Sequence, residues 1–174
     1  MSRKNRFLAM TFLAALPLIG ACDSQSLQPP EAVDGIFVRY VSIGNSITAG
    51  FQSGGITEAL QLQSYPALLA TQMGLTVDAE GAEFNLPLMN APGCPPPYTN
   101  IFTQERVMGL PDEACYLREA TPEYLNNVAV PGSAVIDALT NLDEESNANA
   151  LTTLFLGGRT QLEVAAELQP TFVT

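Results

Sequence analysis

Histidine and tryptophan are absent from the 174 residues, and lysine occurs once, at Lys4. Without histidine, a histidine-ligated zinc or iron site cannot be built from this sequence. The serine–histidine pair that most often activates a serine nucleophile is excluded in the same way. We expect neither a metal nor an organic cofactor.

Positive charge is scarce and unevenly placed along the chain. Three of the seven basic residues, Arg3, Lys4 and Arg6, lie in the first six positions, whereas all 18 acidic residues lie from Asp23 onward. Once the N-terminal segment is removed, 18 acidic side chains face 4 arginines, for a net charge of −14. Such a surface repels phosphate backbones, so we expect no nucleic-acid partner.

Residues 1–21 have the pattern of a secretory signal peptide. A basic start precedes an apolar run at 7–19, which is shorter than the roughly 20 residues of a membrane span. The ending Ile19-Gly20-Ala21-Cys22 resembles the bacterial lipobox, in which the cysteine is lipidated. The resemblance implies an exported protein of the cell envelope, anchored to the membrane through Cys22, with residues 22–35 as a tether. An uncleaved or ordinarily cleaved signal is the alternative.

Lipidation of Cys22 would leave two cysteines, Cys94 and Cys115. An even pair in an oxidising compartment predicts a disulfide bond. The bond would close a loop of about 20 residues and contribute roughly 3 kcal/mol in the chain-entropy estimate. Two buried free thiols are the alternative.

The 47% apolar content is sufficient for the core of one domain, predicted over 36–174. Residues 79–126 are rich in proline, show no clear periodicity and are predicted to be an insertion. The alternation of strands and helices outside it predicts an α/β fold with a parallel sheet. Because the sequence ends in an apparent core strand, we expect it to be the N-terminal part of a longer protein. The predicted strands cover 36–43, 127–132 and 171–174, and the predicted helices cover 64–74, 133–142, 150–156 and 160–168.

The strongest functional signal is Gly44-Asn45-Ser46, directly after the first predicted strand. Ligands of α/β proteins bind at the carboxyl edge of the sheet, which is where this serine is expected. Its backbone N–H could help to stabilise an oxyanion. Since strand–glycine–serine turns are common, the residues alone leave Ser46 as either a nucleophile or a turn residue.

Two segments resemble blocks of the SGNH (GDSL) ester hydrolases. Gly44-Asn45-Ser46-Ile47-Thr48 is similar to the Gly-Asp-Ser-Leu block that opens this family, and residues 127–132 resemble its second block. The resemblance implies a three-layer α/β/α sandwich with a parallel, flavodoxin-like sheet, of which this chain forms about the N-terminal half. It also implies that Ser46 is the nucleophile, that the N–H groups of Ser46 and Gly132 form the oxyanion hole, and that Gly44 and Asn45 support the motif.

The sequence departs from the family pattern in three ways. Asn45 replaces the usual aspartate, which we interpret as the same turn role in a nearly isosteric residue. The family's Gly-x-Asn-Asp and Asp-x-x-His blocks do not occur among these residues. The resemblance therefore implies an exported, membrane-anchored ester hydrolase, present as a fragment that lacks its general base and is inactive by itself. The alternative is a non-catalytic surface lipoprotein that binds lipids or glycans.

Three further features each have two interpretations. Gly157-Gly158-Arg159-Thr160 could bind an anion but is more typical of a plain helix connection. Asp143-Glu144-Glu145 is typical of a solvated loop, with a calcium site as the alternative. Tyr98 and Phe102, near Pro95-Pro96-Pro97, could line a substrate pocket or pack the insertion, and we favour packing.

Overall fold

The computed structural model describes residues 35–78, 81–107 and 122–174. The predicted signal peptide, Cys22 and Cys115 lie outside these residues. The described part is a mixed α/β structure. Its strands are β1 (Tyr40–Val41), β2 (Tyr98–Asn100), β3 (Glu105–Arg106) and β4 (Phe172–Val173). Its helices are α1 (Ser46–Ala49), α2 (Glu58–Leu62), α3 (Tyr65–Gln72), a 3₁₀ helix (Val135–Ala138), α4 (Ala150–Leu156) and α5 (Gln161–Glu167).

Strand β1 is the centre of a small parallel sheet. It pairs in parallel with β4, with Tyr40 opposite Phe172. On its other edge, the Ser42 N–H donates to the Asn126 carbonyl at 2.8 Å, and the Val128 N–H donates to the Ser42 carbonyl at 3.0 Å. The parallel pairing expected of an α/β fold is therefore present on both edges of β1.

The first strand is shorter than predicted. Residues 35–39 form turns, although Ile36 and Val38 continue the β-branched pattern that predicted a strand over 36–43. Both side chains are about half exposed, so they are not part of the buried sheet. The pattern identified the strand, but burial on both faces begins only at Tyr40.

Buried side chains cover both faces of β1. Successive residues of a strand point to opposite faces, and Tyr40 and Val41 accordingly belong to different apolar clusters. Tyr40 stacks on Phe84, with ring centroids 5.0 Å apart, in a cluster that includes residues of α3. Val41 belongs to a cluster that includes Phe155 of α4 and Val164 of α5. The two clusters fix the orientation of β1 and hence the position of the loop that follows it.

The helices at 65–72, 150–156 and 161–167 agree with the sequence signals. Thr160 and Glu163 form the predicted capping box, because the Thr160 Oγ accepts from the Glu163 N–H at 3.2 Å and the Glu163 carboxylate accepts from the Thr160 N–H at 2.8 Å. Helix α4 ends at Gly157 in a left-handed conformation. Helices α1 and α2 were not predicted, because four or five residues are too few to show helical periodicity.

The prediction of an α-helix over 133–142 is wrong in two respects: the type of helix and the side chains that face the core. The structure has a 3₁₀ helix capped by Ala134 rather than Ser133, and Val135 and Leu142 are 94% and 95% exposed. The cause is Asp137, which is buried and accepts a hydrogen bond from the Ala134 N–H at 2.7 Å. A buried carboxylate, not the apolar row, determines which side of this segment faces inward.

Within the proline-rich insertion, β2 and β3 form an antiparallel pair. The Arg106 guanidinium lies 3.9 Å from the centroid of the Tyr98 ring and donates to the Gly54 carbonyl at 2.9 Å. Tyr98 thus packs as predicted, whereas Phe102 is 95% exposed and does not.

Cys94 is buried. Since Cys115 lies outside the described residues, the disulfide bond between Cys94 and Cys115 stays a prediction. None of the helices in the described ranges is long and apolar enough to cross a membrane.

Candidate functional site

Ser46 is the first residue of α1, and the short segment 42–45 connects it to the carboxyl end of β1. The Thr48 side chain packs closely against the Gly44 backbone here, because a Cβ placed on Gly44 would lie 2.2 Å from the Thr48 Oγ. Only glycine avoids this overlap, which gives Gly44 a structural reason for its place in the motif. Asn45 is the N-cap residue of α1, but its side chain makes no capping hydrogen bond. Its position supports a turn role without the contact that an N-cap side chain usually makes.

The structure brings Ser46 and Gly132 together. Gly132 follows the extended segment 126–130, which lies beside β1 and carries it to the same edge of the sheet. The Gly132 N–H donates a hydrogen bond to the Ser46 Oγ at 3.3 Å. Gly132 has a φ of +84°, a conformation that side chains with a Cβ rarely adopt. The two residues singled out by the motifs therefore form one site.

Two asparagine side chains donate hydrogen bonds to the backbone carbonyls of Pro131 and Gly132. Asn149 donates from Nδ2 to the Pro131 carbonyl at 3.0 Å, and Asn147 donates from Nδ2 to the Gly132 carbonyl. Asn149 is also the N-cap of α4, where its Oδ1 accepts from the Leu151 N–H at 2.9 Å. The loop that carries Gly132 is thereby connected to a helix in the core.

A buried glutamine joins the loop before Ser46 to the loop after Gly132. Gln161, the first residue of α5, is 2% exposed. Its Oε1 accepts from the Gly44 N–H at 2.8 Å, and its Nε2 donates to the Ser133 Oγ at 3.3 Å. A single side chain thus bonds to Gly44 of the first motif and to Ser133, the residue that follows the second motif.

Asn127 binds the backbone of α1 from inside the protein. It is 1% exposed, and its Nδ2 donates to the Thr48 carbonyl at 2.8 Å. Its Oδ1 accepts from the Ala129 N–H at 3.1 Å. Since one residue contacts both α1 and its own extended segment, it links the positions of Ser46 and Gly132 below the surface.

Asp137 stabilises the segment that carries the asparagines. It is 3% exposed, and its carboxylate accepts hydrogen bonds from the Ser146 hydroxyl and from the backbone N–H groups of Ala134 and Asn147. Burial alone would raise the pKa of this carboxyl group. The hydrogen bonds together outweigh it, so the pKa of Asp137 lies below its ordinary value. Asp137 is therefore ionised at neutral pH and fixes the backbone of Asn147.

A cavity of about 240 Å³ opens beside the two motifs. Gly44, Asn45 and Thr48 contribute to one wall, and Ser133 belongs to the other. The remaining lining residues are mostly apolar: Ile43, Ala134, Val135, Ala138 and Gln161. Since Gln161 already bonds to Gly44 and Ser133, the cavity presents mainly apolar surface to a ligand.

The other candidate features lie apart from this site. Gly157 and Gly158 connect α4 to α5, and the Arg159 guanidinium beside them pairs with Glu167. The Asp143 carboxylate accepts from the Glu145 N–H within its own loop at 3.0 Å. Across the ranges that the structure describes, no group of three or more histidine, cysteine, aspartate or glutamate residues is placed to hold a metal ion.

Comparison with models of protein families, with curated proteins and with solved structures finds no match. Function is therefore inferred from the motifs and from the geometry around Ser46. Four amide side chains at this site were not identified from the sequence: Asn127, Asn147, Asn149 and Gln161.

Proposed function

We propose that the protein is a serine ester hydrolase of the SGNH type, in which Ser46 is the nucleophile. The observation that carries the proposal is the 3.3 Å hydrogen bond from the Gly132 N–H to the Ser46 Oγ. It brings the N–H group of the second motif's glycine next to the hydroxyl of the first motif's serine. The full three-layer sandwich belongs to this proposal, as does a carboxylic or acyl ester as substrate.

The proposed chemistry uses the backbone around Ser46. The Ser46 Oγ attacks the ester carbonyl, and the N–H groups of Ser46 and Gly132 stabilise the negative charge on the carbonyl oxygen. Ser46 occupies the first position of α1, where its N–H has no acceptor within the helix. The Gly132 N–H, which bonds to the Oγ at rest, lies within reach of an oxyanion formed next to it.

The reaction also needs a base that removes the proton of the Ser46 hydroxyl. The 174 residues contain no histidine, and Lys4 lies in the predicted signal peptide. We propose that the Asp-x-x-His block and the oxyanion-hole asparagine are encoded further along the open reading frame. By themselves, residues 1–174 are expected to be inactive.

The cavity beside Ser46 is proposed to hold the acyl group of the substrate. Its apolar side chains, among them Ile43, Val135 and Ala138, favour a hydrocarbon over a charged group. The acidic net charge points in the same direction, because it repels anionic ligands.

The first test compares the full reading frame with residues 22–174. Both proteins are assayed on p-nitrophenyl acetate and incubated with a fluorophosphonate, each with and without Ser46→Ala. We expect turnover and labelling by the full-length protein only, with both lost in Ser46→Ala. Turnover by residues 22–174 that depends on Ser46 would show that the base lies within them.

The anchor is tested separately by mass spectrometry of the exported protein. We expect the chain to begin at Cys22 and to carry the mass of an attached lipid. An intact Met1, or a start at another residue, would contradict membrane anchoring through Cys22.

A non-catalytic lipoprotein is the second candidate, favoured by the absence of histidine. In that case the apolar cavity would bind a lipid or a glycan without cleaving it. A full-length protein that neither labels with the fluorophosphonate nor hydrolyses short- or long-chain esters would support this candidate over the enzyme.

A further inference from the structure

We propose that Asn149 is a positioning residue that orients and polarises the peptide group whose N–H faces Ser46. The proposal rests on the proposed function, because that N–H is one of the two proposed oxyanion donors. Asn149 touches neither the serine nor the expected position of the substrate carbon. It acts through the peptide bond between Pro131 and Gly132.

The geometry of this peptide bond is the basis of the proposal. In a trans peptide the carbonyl and the N–H lie in one plane and point in opposite directions. The Pro131 carbonyl accepts from Asn149 Nδ2 at 3.0 Å, and the Gly132 N–H donates to the Ser46 Oγ at 3.3 Å. One peptide plane is thus held from both ends, and rotating it would break both hydrogen bonds.

Gly132 needs this support because its own backbone is permissive. With a φ of +84° and no Cβ, it can accommodate more than one orientation of the preceding peptide. The Gly132 residue is also exposed, so water can compete for its N–H. The hydrogen bond from Asn149 favours the one orientation in which the N–H faces the serine.

The same hydrogen bond also strengthens the donor. A carbonyl that accepts a hydrogen bond polarises its peptide group, which makes the attached N–H a better donor. Asn149 therefore affects both the direction and the strength of the Gly132 N–H. The effect is largest in the transition state, when the oxygen that accepts from this N–H becomes negative.

Asn149 is itself held in place by α4. Its Oδ1 caps the helix by accepting from the Leu151 N–H at 2.9 Å, which leaves Nδ2 directed at the Pro131 carbonyl. Helix α4 is anchored by Phe155 and Leu156, which are 6% and 2% exposed. The position of the Gly132 N–H is thereby fixed relative to the core.

Oδ1 of Asn149 caps α4, whereas Nδ2 binds the Pro131 carbonyl. A substitution can therefore keep the cap and remove the bond to the peptide. Aspartate and serine are as good as asparagine at an N-cap, so Asn149→Asp and Asn149→Ser keep the cap of α4. Neither can donate as Nδ2 does, and the aspartate also places negative charge beside the Pro131 carbonyl. Both variants should fold, while the peptide loses its support and the 3.3 Å hydrogen bond from Nδ2 to the Asn147 carbonyl is lost with it.

The experiment measures the labelling of Ser46 by a fluorophosphonate in the full-length protein and resolves reagent affinity from the maximal labelling rate. We expect Asn149→Asp to lower the maximal rate about 10²-fold, the size of effect that a displacement of about 1 Å has. Asn149→Ser should lower it about tenfold, since it removes the donor without adding charge. Reagent affinity should change little in both variants.

Thr160→Asp is the matched control. Thr160 caps α5 through a hydrogen bond from the Glu163 N–H, so this change also exchanges one good N-cap residue for another. It leaves the Pro131–Gly132 peptide untouched. We expect labelling of Ser46 to stay within about twofold of the wild-type rate.

Amide NMR decides the proposal independently of catalysis. In Asn149→Asp we expect a shifted Gly132 amide resonance and faster hydrogen exchange at Gly132, while the Leu151 amide, which keeps an acceptor at the cap, stays protected from exchange. If the wild-type protein does not label at all, the proposed function fails, and the NMR result alone decides whether Asn149 orients this peptide. An unchanged Gly132 amide, or a labelling rate equal to wild type in both variants of Asn149, would overturn the proposal.

Discussion

The Ser46 hydroxyl accepts a hydrogen bond from the Gly132 N–H across a separation of 86 residues in the sequence. The contact depends on a glycine, since a Cβ at position 132 would lie 3.1 Å from Asn149 Nδ2 and the backbone is left-handed there. The position of Gly132 is therefore as informative a target for mutation as the serine itself.

We predict that Gly132→Ala slows fluorophosphonate labelling of Ser46 by about 10² to 10³, because strain at the left-handed φ moves the N–H away from Ser46 and the site then loses one oxyanion donor. It should also lower the free energy of unfolding by about 1–2 kcal/mol, because alanine is strained at positive φ. Gly158→Ala is the control: its φ is +80° and nothing lies within 4 Å of the added Cβ. It should show the loss of stability alone, and an equal fall in labelling in both variants would contradict a specific role for Gly132.

We predict that Asp137→Asn lowers the free energy of unfolding by about 2–3 kcal/mol at neutral pH, because the buried carboxylate accepts several hydrogen bonds. The pKa of Asp137 is lowered by folding, so its stabilising contribution is complete above the unfolded pKa of about 3.9. The difference between wild type and variant should then shrink as the pH falls further, through the lowered pKa.

Urea unfolding between pH 2 and pH 8 measures this difference. Glu144→Gln removes an exposed carboxylate from the same segment and is the matched control. It should change stability little at any pH. A difference for Asp137→Asn that stays constant throughout the acid range would refute the assigned role of this carboxylate.

We predict that Asn127→Ala destabilises the protein by about 1–3 kcal/mol, since it leaves the buried Thr48 carbonyl without the Asn127 Nδ2 donor. Asn100→Ala removes an asparagine whose Oδ1 binds the Phe102 N–H on an exposed turn, and it should cost less than about 1 kcal/mol. Denaturant unfolding of both variants gives the comparison. Equal losses of unfolding free energy in the two variants would mean that the buried contact with Thr48 contributes no more to stability than the exposed turn contact of Asn100.

We predict that Cys94 and Cys115 form a disulfide bond in the exported protein. Peptide mapping without reduction should recover the two cysteines in one linked peptide, and reduction should separate them. Double substitution by serine should lower the free energy of unfolding by roughly 3 kcal/mol, the entropy of closing a loop of about 20 residues. Two alkylated thiols in unreduced, exported protein would disprove the bond.

Local sequence signals predict much of the fold. Helix α5 could be placed because Thr160 and Glu163 have the spacing of a capping box, and both hydrogen bonds of that box are present. The strand that begins the sheet was predicted too long, because exposed Ile36 and Val38 have the same β-branched pattern as buried strand residues. Local pattern identifies an element, but only its partners decide where burial starts.

The candidate site is less visible in the sequence. Ser46 and Gly132 could be proposed because they lie in short motifs after predicted strands. Gln161 could not be proposed as a site residue, because its contact with Gly44 spans 117 residues. A glutamine at the start of a helix also has no sequence pattern that indicates such a contact. Asn149 could have been identified as an N-cap before α4, yet its bond to the Pro131 carbonyl depends on how the segments pack together.

The pairing of β1 has a consequence for the order in which the protein assembles. Its partner Phe172 lies 132 residues after Tyr40, and its other neighbour, Asn127, pairs with Ser42 across 85 residues. Contacts between such distant residues form slowly, because the loop between them must close before the contact is gained. The central strand therefore cannot complete its hydrogen bonds until the segment at 172–174 has been synthesised. Until then its apolar residues are exposed to aggregation unless local collapse covers them.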